Sequence, residues 1–163
     1  MPDLVIPGKQ RQLRERRLVS DFVSEFYPDD RTIFNVRVGG INPRITDQDL
    51  TEAEISMLGV HRRYADAVVI RERELVLIEG YTLPSLGKVS QIMAYRALLP
   101  MTPELGTFAS MPITAVIVGP IEDQMLNLMG RQNDILVRVY RPPWIEEFLD
   151  GLSSRHRRAR EVR

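Results

Sequence analysis

Apolar residues near the start of the chain recur with the spacing of one helical face. This stripe consists of Leu13, Leu18, Val19, Phe22, Val23 and Phe26. Pro28 follows the last of them, and a proline marks the end of a helix. We therefore predict a first helix over residues 10–27.

Beyond this helix the pattern alternates between short β-rich runs and further helical stretches. Strands are predicted at residues 31–38, 64–70, 75–81, 111–118 and 135–140. Helices are predicted at residues 88–99, 121–129 and 143–149, and residues 41–58 are predicted as a loop with a short helix, for which Thr51 and Glu54 form a capping box. The mixture predicts an α/β fold with one sheet covered by helices on both faces.

The length and composition fit one globular domain. The chain has 163 residues, of which 44% are hydrophobic, enough to bury a core without covalent cross-links. We predict one domain over residues 1–152 and an Arg-rich tail over residues 153–163. No apolar run approaches the roughly 20 residues that a membrane span needs, and no apolar leader is visible, so we expect no membrane partner and a cytoplasmic or virion location.

Charge and cysteine content limit the chemistry. There is no cysteine, so a metal would be held by carboxylates, carbonyls or the two histidines, a set that suits a hard cation. The net charge is zero, but basic residues crowd the C-terminal end. Arg155, Arg157, Arg158 and Arg160 are the predicted nucleic-acid contacts there, although a solvated tail explains them equally well.

Two acidic residues fall on neighbouring predicted strands. Asp66 and Glu79 are 13 residues apart, and a hairpin that turns near residues 71–74 would bring their carboxylates side by side. Adjacent carboxylates repel each other unless a proton or a cation lies between them. Magnesium binds one or two carboxylates and keeps waters, so the pair predicts a divalent-metal site.

The order helix, hairpin with Asp then Glu, and helix resembles the PD-(D/E)xK nuclease superfamily over residues 10–119. Gln91 and Tyr95 match the Gln-x-x-x-Tyr motif of RecB-like exonucleases, and the segment Glu15-Arg16-Arg17-Leu18-Val19 is similar to one in archaeal Holliday-junction resolvases. Glu15 also falls within about 15° of the centre of the apolar stripe, so it is predicted to face the sheet.

The resemblance implies an αβββαβ core with a mixed sheet, here extended by αβα. It also implies Mg²⁺ or Mn²⁺ held by Glu15, Asp66, Glu79 and the Gly80 carbonyl, with Gln91 and Tyr95 as further site residues.

The chain departs from this family at one position. The expected Glu-x-Lys is Glu79-Gly80-Tyr81, so the motif lysine is absent. Lys88, Gln91 and Tyr95 are spaced i, i+3 and i+7, which places them on one helical face. In one interpretation, Lys88 supplies the missing ammonium. In the other, Tyr81 marks a site that has decayed.

Two functions follow from these alternatives. The first is a divalent-metal-dependent DNA nuclease, including a structure-specific one, acting in recombination, repair, restriction or phage genome processing. The second is an inactive nuclease fold that serves as a structural or DNA-binding subunit, such as a component of a phage particle. A homo-oligomer is left open in both. A third, an unrelated α/β ligand-binding domain, predicts an apolar pocket instead of an acidic cluster.

Overall fold

The computed structural model describes the backbone of residues 7–40 and 63–161, and the side chains of residues 8–40 and 63–154. The helices are α1 (Pro7–Phe26), α2 (Gly87–Leu98), α3 (Gln124–Gln132) and α4 (Pro143–Glu161), and the strands are β1 (Arg31–Val38), β2 (Arg63–Ile70), β3 (Leu75–Gly80), β4 (Ile113–Gly119) and β5 (Ile135–Val139). Two 3-10 segments, Leu99–Met101 and Pro103–Ser110, connect α2 to β4. The described elements follow the predicted order αβββαβ and then αβα.

The five strands form one mixed sheet in the order β1-β2-β3-β4-β5. The first two pairings are antiparallel, and the pairings of β3 with β4 and β4 with β5 are parallel. The prediction of a mixed sheet in an α/β fold is confirmed. β3 lies at the centre of the sheet, and all six of its residues are buried.

Alternation along β3 divides its side chains between two hydrophobic layers. Leu75 and Leu77 pack with Val89 and Ile92 of α2 in one layer. Val76 and Ile78 pack in the other layer, which includes Val19, Phe22 and Val23 of α1. The middle of the predicted stripe on α1 is thus core-facing, because Leu18, Val19, Phe22 and Val23 are buried. The prediction is wrong for its two ends, since Leu13 and Phe26 are 56% and 55% exposed. Helices α1 and α2 cover opposite faces of the strand that carries Glu79.

Several helix boundaries differ from the prediction. α1 begins at Pro7 instead of residue 10, and α3 ends at Gln132 instead of residue 129. α3 begins at Gln124, not at residue 121, because Asp123 caps it: its Oδ1 accepts a hydrogen bond of 2.7 Å from the Leu126 backbone N–H. α4 continues to Glu161 instead of ending at residue 149. The hydroxyls of Ser153 and Ser154 donate to carbonyls four residues earlier, a bond that forms within a continuing helix.

Some predictions fall outside what is described. The short helix and capping box over residues 41–58, including Thr51 and Glu54, lie outside the described residues. Arg155, Arg157, Arg158 and Arg160 belong to the last turns of α4, but their side chains are not among those described. The domain boundary between residues 152 and 153 stays a prediction. None of the described helices combines the length and apolar character that crossing a membrane would require.

Candidate active site

The β2–β3 hairpin brings the two predicted carboxylates together at its open end. The last paired residues are Ala67 and Ile78, so Asp66 and Glu79 are the next residues in register. There, side chains replace the backbone ladder: the Asp66 N–H donates to Glu79 Oε1 at 3.0 Å, and the Gly80 N–H donates to Asp66 Oδ2 at 2.8 Å. Each carboxylate is therefore fixed by the backbone of the opposite strand.

Burial makes this pair electrostatically unfavourable in its fully ionised form. Only 1% of the Glu79 surface is exposed, and burial followed by the charge of Asp66 raises the pKa of Glu79 to about 8. Burial also raises the pKa of Asp66, although the Gly80 N–H and the Lys88 charge oppose the shift. A positive charge at this position would stabilise both ionised forms.

A close contact between α1 and β3 brings a third carboxylate to the site. An added Cβ on Gly80 would lie 2.6 Å from Val19 Cγ2 and 3.2 Å from the Glu15 carbonyl oxygen, so only glycine permits this approach. Glu15 is 8% exposed. The prediction that Glu15 faces the sheet is confirmed.

Lys88 places its ammonium among these acids. Its Nζ lies 3.7 Å from Glu79 Oε2 and 3.7 Å from Glu15 Oε2, and 11% of its side chain is exposed. The Lys88 charge lowers the pKa of both Asp66 and Glu79, against the larger effect of burial. A lysine in the first turn of a helix is here directed inward, as the shared face with Gln91 and Tyr95 predicts.

Tyr81 points away from the carboxylates. Its hydroxyl donates a 2.6 Å hydrogen bond to the Ile121 carbonyl. Its ring covers Gly119, where an added Cβ would lie 2.2 Å from ring atoms. Burial is the main reason that the pKa of Tyr81 rises to about 12. The residue at the position of the motif lysine therefore packs between the ends of β3 and β4 and does not fill the acidic site.

Gln91 and Tyr95 lie beside Lys88 on α2. The Gln91 amide Nε2 donates to Tyr95 Oη at 3.0 Å. Burial raises the pKa of Tyr95, and Glu79 and Asp66 add to the shift, so its hydroxyl keeps its proton at neutral pH. Both side chains line the same cavity as the carboxylates, as predicted.

This cavity has a volume of about 530 Å³ and includes residues that the sequence patterns did not single out as site residues. These are Gln12, Arg16, Asn35, Arg63 and Tyr64. Asn35 interrupts the pairing of β1 with β2 opposite Asp66, has a φ of 53°, and accepts a 3.1 Å hydrogen bond from Arg16 Nη2. An asparagine in the middle of a β-rich run was the available signal, because asparagine is uncommon in strands and tolerates positive φ.

The donors present suit a hard divalent cation. No group of three or more His, Asp or Glu side chains in the described part of the chain is arranged to hold a metal ion. The remaining candidates are the paired carboxylates of Asp66 and Glu79 with the Gly80 carbonyl. Two carboxylates are a sufficient protein contribution for magnesium, which otherwise keeps water ligands. Because burial and the charge of Asp66 raise the pKa of Glu79, a bound cation would stabilise its ionised form.

Comparisons with known proteins give one structural likeness. No family model matches the chain, and no curated protein matches it. A crystal structure of a repair endonuclease from Pyrococcus abyssi is similar with a TM-score of 0.49 and 14% identity; the match covers 78% of this chain and 47% of that chain. The present chain thus spans about half the length of that protein, and the likeness says nothing about activity.

Proposed function

We propose that this chain is a divalent-metal-dependent DNA nuclease that hydrolyses phosphodiester bonds. The observation that carries the proposal is the Lys88 ammonium, 3.7 Å from Glu79, at a site where Tyr81 is turned away. A migrated lysine supplies the charge that the motif position lacks. The motif resemblance and the buried carboxylate pair support the same chemistry.

The ligands proposed for Mg²⁺ or Mn²⁺ are Asp66, Glu79 and the Gly80 carbonyl. When bound, such an ion would lower the pKa of a water molecule and neutralise charge on the phosphate. Glu15 is predicted to join this set directly or through water, but both of its oxygens already face cations. A metal bound directly by Glu15 would therefore share its oxygens with Arg11 and Lys88.

The other residues have roles that follow from their charges and donors. Lys88 would hold the attacking water in place or stabilise negative charge that develops on phosphate oxygens. Gln91 and the protonated Tyr95 hydroxyl would orient the substrate backbone, since they line the same cavity. The Arg-rich end of α4 is proposed to bind DNA phosphates without sequence preference.

A second candidate is the inactive fold that serves as a structural or DNA-binding subunit. It is favoured by one observation: Lys88 already compensates part of the acidic charge at Glu15 and Glu79 without a metal. In that case the buried ion pair would be structural, and metal would have no effect on the protein.

Cleavage assays separate the two candidates. Supercoiled, linear and branched DNA would be incubated with the wild type in Mg²⁺ or Mn²⁺, beside a double variant that carries Asp66→Ala and Glu79→Ala. We expect metal-dependent cleavage by the wild type and a loss on the order of a thousandfold in the variant, since metal chemistry supplies several kcal/mol. Equal background cleavage by both proteins would reject the nuclease proposal.

A further inference from the structure

The Glu15 carboxylate lies between two cations that come from different helices. Arg11 Nε donates to Glu15 Oε1 at 3.1 Å, one helical turn earlier on α1. Lys88 Nζ, from α2, lies 3.7 Å from Glu15 Oε2. Both oxygens of Glu15 are therefore in contact with protein cations.

Arg11 is the arginine of α1 with the geometry to orient Glu15. Arg14 lies over the ring of Phe148 at 4.4 Å, and Arg17 lies over the ring of Trp144 at 4.4 Å, so both are directed at α4. Arg16 donates to Asn35. The Arg11 side chain is 50% exposed, whereas that of Glu15 is 10% exposed, so Arg11 fixes a nearly buried acid from the surface.

The same contacts determine where the Lys88 ammonium lies. Lysine has four rotatable side-chain bonds, and an ammonium near one acid alone retains much of that freedom. Two carboxylates at equal distances of 3.7 Å restrict it to the space between α1 and β3. Because Glu79 is held by the Asp66 N–H, a Glu15 held by Arg11 gives Lys88 two fixed partners.

We propose that Arg11 and Glu15 are positioning residues that hold Lys88 against Glu79, and that Glu15 acts on this lysine instead of binding the metal. The catalytic meaning of this arrangement rests on the proposed nuclease function; the arrangement itself does not. It predicts that Arg11, which touches neither the carboxylate pair nor the α2 side chains of the site in any described contact, controls the accessibility of Lys88.

The lysine content of the chain makes this accessibility measurable. Lys9 and Lys88 are the two lysines of the sequence, and Lys9 is exposed on α1. Reductive methylation followed by peptide mass spectrometry gives the reaction rate of each, and Lys9 is an internal reference. We expect Glu15→Gln to raise the Lys88 to Lys9 rate ratio about tenfold, since a contact of about 1.4 kcal/mol corresponds to a factor of ten.

Substitutions of Arg11 provide the decisive comparison. Arg11→Met should raise the same ratio severalfold, and Arg11→Lys should return it to near the wild-type value because the positive charge is kept. Glu25→Gln is the matched control, since Glu25 is an exposed acid on α1 whose described contact is with Tyr140. Wild-type ratios in both Arg11→Met and Glu15→Gln would overturn the proposal. Because the Arg11 side chain is half exposed, its substitution is not expected to unfold the protein. A changed rate ratio would therefore report the contact with Glu15.

Metal titration without DNA tests the assignment of Glu15. By calorimetry with Mn²⁺, Glu15→Gln should leave the dissociation constant within about threefold of wild type, while Asp66→Asn and Glu79→Gln raise it more than about tenfold. An equal loss of affinity in Glu15→Gln would make Glu15 a metal ligand and overturn its proposed role. If the wild type binds no Mn²⁺, the nuclease proposal fails, whereas the Lys88 reaction rates still decide the positioning role.

In an active enzyme the same pair should affect turnover and not substrate binding. Arg11→Met is expected to lower kcat with KM unchanged, and Arg11→Lys to restore most of kcat. A rise in KM with kcat unchanged would instead place Arg11 in DNA binding and contradict the proposal.

Discussion

The β2–β3 hairpin carries a cluster of ionisable side chains at each end, and the two clusters differ in burial. At the turn, Arg71 contacts Asp30 at 3.4 Å and Glu74 at 3.1 Å, and these three side chains are 47%, 30% and 33% exposed. At the open end, Lys88 contacts Glu79 and Glu15, whose side chains are only 1% and 10% exposed. Ion pairs of similar groups at similar distances therefore differ in their exposure to water.

The difference supports the proposal that the cluster at the open end has a purpose beyond stability. Exposed ion pairs contribute about 0 to 1 kcal/mol, so the turn cluster needs no explanation other than local order. Burying charges costs several kcal/mol per ion, and apolar side chains of similar volume would often be as stable or more so. A buried acid with a strongly shifted pKa in a cavity is instead typical of a functional site.

The largest effect is expected from replacement of Tyr81, which stands at the position of the motif lysine. Tyr81→Lys restores the residue type of the resembled motif, but it removes a ring that covers Gly119 and a hydroxyl bonded to Ile121. We expect a loss of about 4 kcal/mol in the free energy of unfolding, as for other truncated buried aromatics, and no gain in cleavage. Urea unfolding and DNA cleavage measure both. Increased activity with normal stability would mean that Lys88 does not replace the motif lysine.

Removal of the buried cation is expected to have the next largest effect. Lys88→Met should lower the free energy of unfolding by about 3 kcal/mol, because it leaves buried carboxylates without a counter-charge. Arg71→Met, the matched change at the turn, should cost less than about 1 kcal/mol. Urea unfolding of both variants at about pH 9, above the Glu79 pKa of about 8, makes the comparison. Equal losses would contradict the distinction between the two clusters.

A smaller effect is expected from crowding the contact between α1 and β3. Gly80→Ala places a Cβ 2.6 Å from Val19 Cγ2, so α1 must shift away from the buried cluster. Overpacking of this kind costs about 1 to 3 kcal/mol. Gly151→Ala is the control, because nothing lies within 4 Å of the added Cβ on α4. Thermal unfolding measures both, and unchanged stability of Gly80→Ala would show that the approach of α1 is not tight.

The sequence predicts the parts of this site that depend on periodicity. Alternation places Glu79 on the same face of β3 as Leu75 and Leu77. The helical stripe of α1 turns Glu15 inward, and the i, i+3, i+7 spacing groups Lys88 with Gln91 and Tyr95. Each follows from a repeat of two or 3.6 residues. These groups meet as predicted because the sheet and both helices form in the expected order.

The parts that the sequence did not predict depend on single contacts. The orientation of Tyr81 follows from the space above Gly119 and from the Ile121 carbonyl, neither of which is near it in the chain. Alternation correctly places Tyr81 in the layer of Leu75 and Leu77, but it does not predict that the ring turns toward Gly119 and away from Glu79. Likewise, the positive φ of Asn35 and its bond to Arg16 depend on how β1 meets α1.

The two clusters of the hairpin should also differ in how stability depends on pH, because Glu79 at the open end binds a proton in the folded protein. Glu79 has a folded-state pKa of about 8 against an ordinary value of 4.5, mainly because it is buried. The folded protein thus holds this proton more tightly, so its stabilising effect is complete below pH 4.5 and is lost as the pH rises through about 8. Unfolding free energy should fall by at most about 1.4 kcal/mol per pH unit across this window.

Variants at the two ends of the hairpin assign this slope to its source. Urea unfolding between pH 5 and 8 in a chelator should show the decrease in the wild type and in Glu74→Gln, but a much flatter profile in Glu79→Gln, which cannot ionise. Asp66 contributes with the same sign, because burial also raises its pKa. If Glu79→Gln kept the full wild-type slope, a group other than Glu79 would bind the proton. The carboxylate pair would then lack the raised pKa that favours binding of a cation.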